Sequence, residues 1–157
     1  MKKSREDIMR EAVRLSVENV RNHGGPFGAV IARDGQIIST GVNEVLGTHD
    51  PTAHAEIQAI RNASKILDTP ELNDCEIYCS CEPCPMCLGA IYWAGIRKIY
   101  YAASREDAER AGFRDNYIYH EMSLPPEKRD LPAEQMMQEE AGEAFRAWLE
   151  WEDRIEY

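Results

Sequence analysis

From Ile8 to Val20 apolar residues recur at intervals of three and four, and Ile8, Met9, Ala12, Val13, Leu15, Ser16 and Val20 share one broad helical face. Ser4, with Asp7 three residues on, caps the start of this helix, which ends at Gly24-Gly25 and packs on something flat. The period then drops to that of strands. Residues 26–32 form an apolar strand, Asp34-Gly35 a turn, and residues 36–42 the second arm of a hairpin. Asn43 opens a polar loop over residues 44–50, and a helix follows over 53–67, capped by Asp50 or Thr52 with Pro51 near its first turn. After a turn at residues 68–71, residues 75–79 read as a buried strand, Cys84 to Gly95 as a helix, and residues 97–103 as another strand. Ser104 and Asp107 cap a short helix that ends at Gly112.

Residues 113–119 fit neither period, and 124–132, with three prolines, form a stiff irregular connection. Residues 139–154 return to helix, with Ala144, Phe145, Trp148, Trp151 and Ile155 expected to face inward. Strands alternating with helices imply an α/β fold, a sheet with parallel members covered by helices. Residues 1–157 are expected to form a single domain.

Charge narrows the partners. With 28 acidic against 18 basic residues the net charge is −10, which disfavours nucleic acid and anionic membrane as main partners and leaves a small molecule. The first residues have no apolar signal region and no stretch approaches the length of a membrane span, so a cytoplasmic protein is expected. Four of the five cysteines crowd into residues 79–87 and the fifth is Cys75. Such crowding suits a metal better than a disulfide framework.

The candidate chemistry lies in two segments, Pro51-Thr-Ala-His-Ala-Glu56 and Cys79-Ser-Cys-Glu-Pro-Cys-Pro-Met-Cys87. Pro85 suits the first helical position, so Cys84 falls at the N-cap and Cys87 three residues on, over the same helix end. The positive end of that helix favours thiolate, the form that binds metal. His54 and Glu56 sit about 200° apart around an ideal helix, so any shared target lies off its N-terminal end. His54, Cys84 and Cys87 as ligands leave a tetrahedral zinc with one open position, the mark of a catalytic site. Zinc lowers the pKa of water from about 15.7 toward roughly 7, and Glu56 is the base that relays the proton. The combination H-x-E with P-C-x-x-C is the pattern of zinc nucleobase deaminases. Cys75, Cys79 and Cys81 are read as non-ligands, and Glu82 as a loop carboxylate that is solvated or bonded to backbone.

These motifs, together with Gly24-Gly-Pro-Phe-Gly-Ala-Val-Ile31, Asn43, Ala111-Gly-Phe113 with Asp115, and the terminal Glu156-Tyr157, resemble the cytidine deaminase superfamily and, within it, the bacterial guanine deaminases. The resemblance spans nearly the full chain. It implies a three-layer fold with a five-stranded mixed sheet between helices, bound Zn²⁺, and hydrolysis of guanine to xanthine and ammonia. It also implies a homodimer whose C-terminal arms, residues 138–157, exchange between subunits. By the same resemblance Phe27, Asn43 and Ala55 hold the purine, Trp93 walls the pocket, Tyr157 closes it, and Asp115 grips the base or assists proton transfer beside Glu56. The alternatives are another amino-heterocycle (cytosine, pterin or triazine), adenosine in transfer RNA, or a catalytically inactive zinc-binding interaction module.

Overall fold

Alternation along the strands sets the layers. In the computed structural model, which describes residues 1–157, β1 (Gly28–Arg33) sends Ala29 and Ile31 to one face of a sheet and Val30 and Ala32 to the other. β3 (Glu76–Cys81) repeats this with Ile77 and Cys79 opposite Tyr78. With β2 (Gln36–Val42) and β4 (Lys98–Ala103) they form a four-stranded sheet in the order β2-β1-β3-β4. β1 runs antiparallel to β2 and β3, while β3 and β4 are parallel. The β3–β4 crossover is α4 (Pro85–Ala94).

Helix α1 (Arg5–Arg21) covers one face, where Ile8 and Ala12 meet Val30, Ala32 and Tyr78. The other face lies under α4 and α3 (Ala55–Leu67), through Ile91, Ala94, Ala55, Ala59 and Ala63. The alanines, four residues apart, form a stripe small enough to let α3 lie close to the sheet. Gly41 completes that approach, since a Cβ there would stand 2.2 Å from the Ala55 carbonyl oxygen. The start of α3 is thereby drawn against the end of β2, next to Asn43.

The sheet has four strands rather than the five implied by the resemblance. After α5 (Arg105–Arg110) the chain turns at Gly112 (φ 95°), and the ambiguous stretch from Phe113 enters α6 (Asp115–Ser123) instead of pairing with β4. Asp and Asn are poor strand residues, and Asp115 in the first turn complements a helix start. Among the other boundaries, three shifts bear on the site. The loop over 44–50 contains a helical turn, α2 (Val45–Thr48), stopped by His49 in the left-handed region (φ 52°). β3 continues to Cys81 because Cys81 still pairs with Ala103. Helix α3 begins at Ala55 with His54 as its N-cap, two residues later than expected.

The chain divides into two compact units, Met1–Tyr119 and His120–Tyr157, upstream of the arm expected from residue 138. In the second unit, the Arg129 Nε–H donates to the carbonyls of Glu121 and Leu124, both at 3.1 Å, and folds the proline-rich connection back on the end of α6. Its other helix is α7 (Gln138–Glu150). This helix ends at Glu150, short of the expected 154, and none of its residues is buried; Ala144 and Phe145 within it and Trp151 and Ile155 beyond it, all expected inward, are exposed, Phe145 by 72 %. A unit this small has no second layer to cover such a face. Trp148 is half-buried, with the rings of Trp151 and Tyr157 edge-on at 5.6 and 6.5 Å. No helix is long and apolar enough to cross a membrane.

Candidate metal centre and adjoining cavity

Two helix starts place the candidate metal donors. Cys84 is the N-cap of α4, Pro85 takes the position that needs no N–H, and the Cys87 N–H donates to Cys84 Sγ at 3.5 Å. His54 is the N-cap of α3, its carbonyl accepting from the Gln58 N–H at 2.9 Å. Asp50 does not cap this helix. Its Oδ1 accepts from the N–H and hydroxyl of Thr52, at 2.9 and 2.7 Å, and closes a local turn that delivers His54.

His54 Nδ1 lies 3.5 Å from both Cys84 Sγ and Cys87 Sγ, and the three donor atoms lie within 4.8 Å of one another. Tetrahedral zinc, with bonds of about 2.3 Å to sulfur and 2.0–2.1 Å to nitrogen, sets sulfur–nitrogen separations of about 3.6 Å. The three residues therefore fit zinc in spacing as well as donor type, with one coordination position left for a small ligand. Cys79, buried in β3 opposite Ala29, and Cys81, whose Sγ faces the Ser104 carbonyl at 3.5 Å, are not part of the cluster.

The cluster distributes protons unevenly. A hydrogen bond from the Cys87 thiol, helped by His54 and the Cys87 N–H, holds the Cys84 thiol down to about 4 against burial. Cys87 is pushed far up by the same shared proton and by burial. His54 is raised, foremost by its hydrogen bond to Cys84. A cation at the centre would remove this competition, because both sulfurs can then be thiolates. Glu56, in the first turn of α3, is only 5 % exposed, and burial pushes its carboxyl up to about 7. Asp115 is also raised, first by burial and then by the Cys84 charge.

In front of the donors opens a cavity of about 490 Å³, within the range of small-molecule sites. His54, Glu56, Cys84, Asn43, Phe27 and Asp115 all line it. Phe27 meets Phe113 edge-on, with ring centroids 4.8 Å apart, giving the cavity an aromatic wall. Asn43 is buried and its Oδ1 accepts from the Val45 N–H at 3.2 Å, which orients its NH₂ group as a donor. Glu82 is tied to Arg105 through the backbone N–H at 3.3 Å and Nε at 3.4 Å. The Tyr119 hydroxyl donates to the Pro83 carbonyl at 2.6 Å, anchoring α6, and so Asp115, to the loop before Cys84.

Other expected residues lie elsewhere. The Ala55 side chain is fully buried in the core under α3, and Trp93, near the end of α4, is 74 % exposed and outside the cavity lining. Tyr157 belongs to the second unit and is 81 % exposed. Phe113, Val45 and Leu46 line the cavity without having been singled out as contacts. Leu46, an apolar residue in a polar segment that looked like plain loop, was the available signal.

A profile of the cytidine and deoxycytidylate deaminase zinc-binding region matches residues 2–103. The guanine deaminase of Bacillus subtilis (strain 168) is 50 % identical over 153 residues, 97 % of this chain and 98 % of that protein. The tRNA-specific adenosine deaminase of Aquifex aeolicus is 38 % identical over 99 residues, 63 % of this chain and 66 % of its own. Among solved structures, the guanine deaminase from Bacillus subtilis superposes with a TM-score of 0.94 at 49 % identity, covering 98 % and 99 % of the two chains. A guanine deaminase from Nitrosomonas europaea gives 0.68 at 36 % identity over 71 % of this chain and 65 % of that one.

Proposed function

Because the chain belongs to the cytidine and deoxycytidylate deaminase family of zinc-dependent aminohydrolases, we propose that it hydrolyses guanine to xanthine and ammonia. The observation that carries this reading is the His54–Cys84–Cys87 triangle at the floor of an aromatic-walled cavity, with the buried carboxyl of Glu56 beside it. When bound by these three residues, zinc supplies Lewis acidity that makes water a competent nucleophile at neutral pH. Glu56 takes one proton of the attacking water and gives it to the adjacent ring nitrogen, then takes the second from the newly attached hydroxyl and gives it to the amine, which leaves as ammonia as the carbonyl forms. Because burial already favours its protonated form, the carboxyl can hold a proton between the two transfers.

The base lies against the wall made by the Phe27–Phe113 pair, and the Asn43 NH₂ donates to an acceptor on its edge. Asp115, with its raised pKa, grips the base from the other side or takes part in the proton transfer. The wall carries Glu56, Glu82 and Asp115 and no Lys or Arg, which suits a neutral base and opposes a polyanion such as transfer RNA. Five cysteines without a disulfide, two of them read as metal-holding thiolates, suit the reducing cytoplasm. Release of ammonia by zinc-loaded protein from a panel of free bases and nucleosides tests the assignment. Guanine should be turned over well ahead of cytosine, adenine and adenosine; preferred turnover of any other member of the panel would replace guanine as the substrate.

The same reading takes the C-terminal arm as shared between two copies of the chain. Phe145, Trp151 and Ile155 are large apolar side chains left exposed beyond a connection stiffened by Pro125, Pro126 and Pro132. Such exposed apolar side chains are buried most economically on an identical subunit. Tyr157 then closes the partner's cavity and excludes water, and Ala55 and Trp93 border the base only through backbone or across the interface. Deleting the last few residues is expected to raise KM and lower kcat on guanine with zinc and dimer retained. Mixed dimers of a Glu56→Gln chain and a tail-deleted chain should recover part of the activity, because the first lends its tail to the second chain's intact centre. No recovery in verified heterodimers would rule out the exchange.

A further inference from the structure

Asn19 stands on α1, behind the cavity wall rather than in it, and its side-chain NH₂ makes two hydrogen bonds. It donates to the carbonyl of Gly25 at 2.8 Å and to the carbonyl of Asn43 at 2.9 Å. These carbonyls belong to the two segments, residues 24–27 and 43–46, that supply one side of the cavity. The segments also hold each other. The Phe27 N–H donates to the Gly25 carbonyl at 2.8 Å, and the Asn43 N–H to the Phe27 carbonyl at 3.3 Å.

Packing around the amide leaves little slack. A Cβ at Gly24 would stand 2.5 Å from Asn19 Nδ2, and one at Gly25 would stand 3.0 Å from Asn43 Cγ. Asn43 is thus gripped on three sides: its carbonyl by Asn19, its Oδ1 by the Val45 N–H, and its amide face by Gly25. We propose that Asn19 is a positioning residue for the base, a clamp that fixes the Asn43 amide relative to the Phe27 ring. The proposal rests on reading the cavity as a purine site.

A single NH₂ that serves two carbonyls in a partly buried place cannot be replaced by water without loosening both loops. The loosening falls on binding rather than on proton transfer, because Glu56 is held separately on α3. Such a loss shows in KM and leaves kcat nearly unchanged. Asn19→Ala removes the clamp. Asn19→Asp keeps its volume but turns the donor into an acceptor facing two carbonyl oxygens, which separates hydrogen bonding from space filling.

In zinc-loaded protein, both variants should raise KM for guanine at least about tenfold with kcat within about threefold and zinc content unchanged. In an Asn43→Ala background, Asn19→Ala should add little further, because the clamp acts through Asn43; a merely structural role would give additive effects. KM within twofold of wild type in both variants, or additivity in the double variant, overturns the proposal. Wild-type protein inactive on guanine defeats the purine reading alone, and the clamp is then judged without substrate by amide hydrogen exchange. Exchange at the Val45 N–H at least about tenfold faster in Asn19→Ala, with that at the Cys87 N–H unchanged, supports the clamp. Unchanged exchange at Val45 overturns it.

Discussion

Glu56→Gln should lower kcat by roughly 10²- to 10⁴-fold, the loss typical of a positioned acid–base group, while zinc content and KM stay near wild type. At about 1.36 kcal/mol per tenfold this amounts to roughly 3–5 kcal/mol of the barrier. The substitution keeps size and polarity and removes only the capacity to take and return a proton. That is why kcat and KM should separate. The side chain is almost fully buried within the first turn of α3, so an amide of the same shape fits without a cavity. Stability should not suffer either, since burial already favours the uncharged form of this carboxyl. Steady-state kinetics with metal analysis and thermal unfolding checks all three quantities. Near-normal turnover would transfer the proton relay elsewhere in the cavity, with Asp115, the other lining carboxyl whose pKa burial raises, as the first suspect.

Much of the fold was legible because its elements are locally signed. Ser4 accepts from the Asp7 N–H at the start of α1, Ser104 and Asp107 form the capping box of α5, and Pro85 and Gly95 bracket α4. The centre was legible for a related reason: its donors are local to two helix starts, and a helix start has a sequence signature. Misreadings occurred where tertiary contact outranked local pattern. Asp50 and Thr52 are both good N-cap residues, yet they bond each other, because Gly41 draws Ala55 onto β2 and leaves His54 as the N-cap. Asp115 to Tyr119 carries no clear period, since one side of that helix faces the Cys84 loop through the Tyr119 hydroxyl and another faces solvent. Asn19 was invisible for a third reason. Its two carbonyl partners, at Gly25 and Asn43, come together only when α1 lies across the hairpin.

Wild-type protein should hold about one zinc per chain; Cys84→Ala, Cys87→Ala and His54→Ala should each lose it, and activity should fall to background, whereas Cys79→Ala and Cys81→Ala should keep both. The contrast follows from where the sulfurs point. Cys84 and Cys87 stand 3.5 Å from His54 Nδ1, while Cys81 faces the Ser104 carbonyl and Cys79 is packed among Ala29, Ile77 and their neighbours. With only three protein donors, the loss of one leaves two, too few to hold zinc against the competition of water. Global unfolding can be separated from this local loss. Metal that binds only the folded chain raises its stability by mass action, so added zinc should raise the Tm of the stripped wild-type protein and leave that of stripped Cys87→Ala unmoved. Without metal the two should melt at similar temperatures. Alanine at 87 removes one small, fully buried side chain at a packing cost of about 1 kcal/mol, a shift of a few degrees at most. One zinc per chain in Cys87→Ala would displace the centre from these residues, and zinc loss in Cys81→Ala would make Cys81 a ligand.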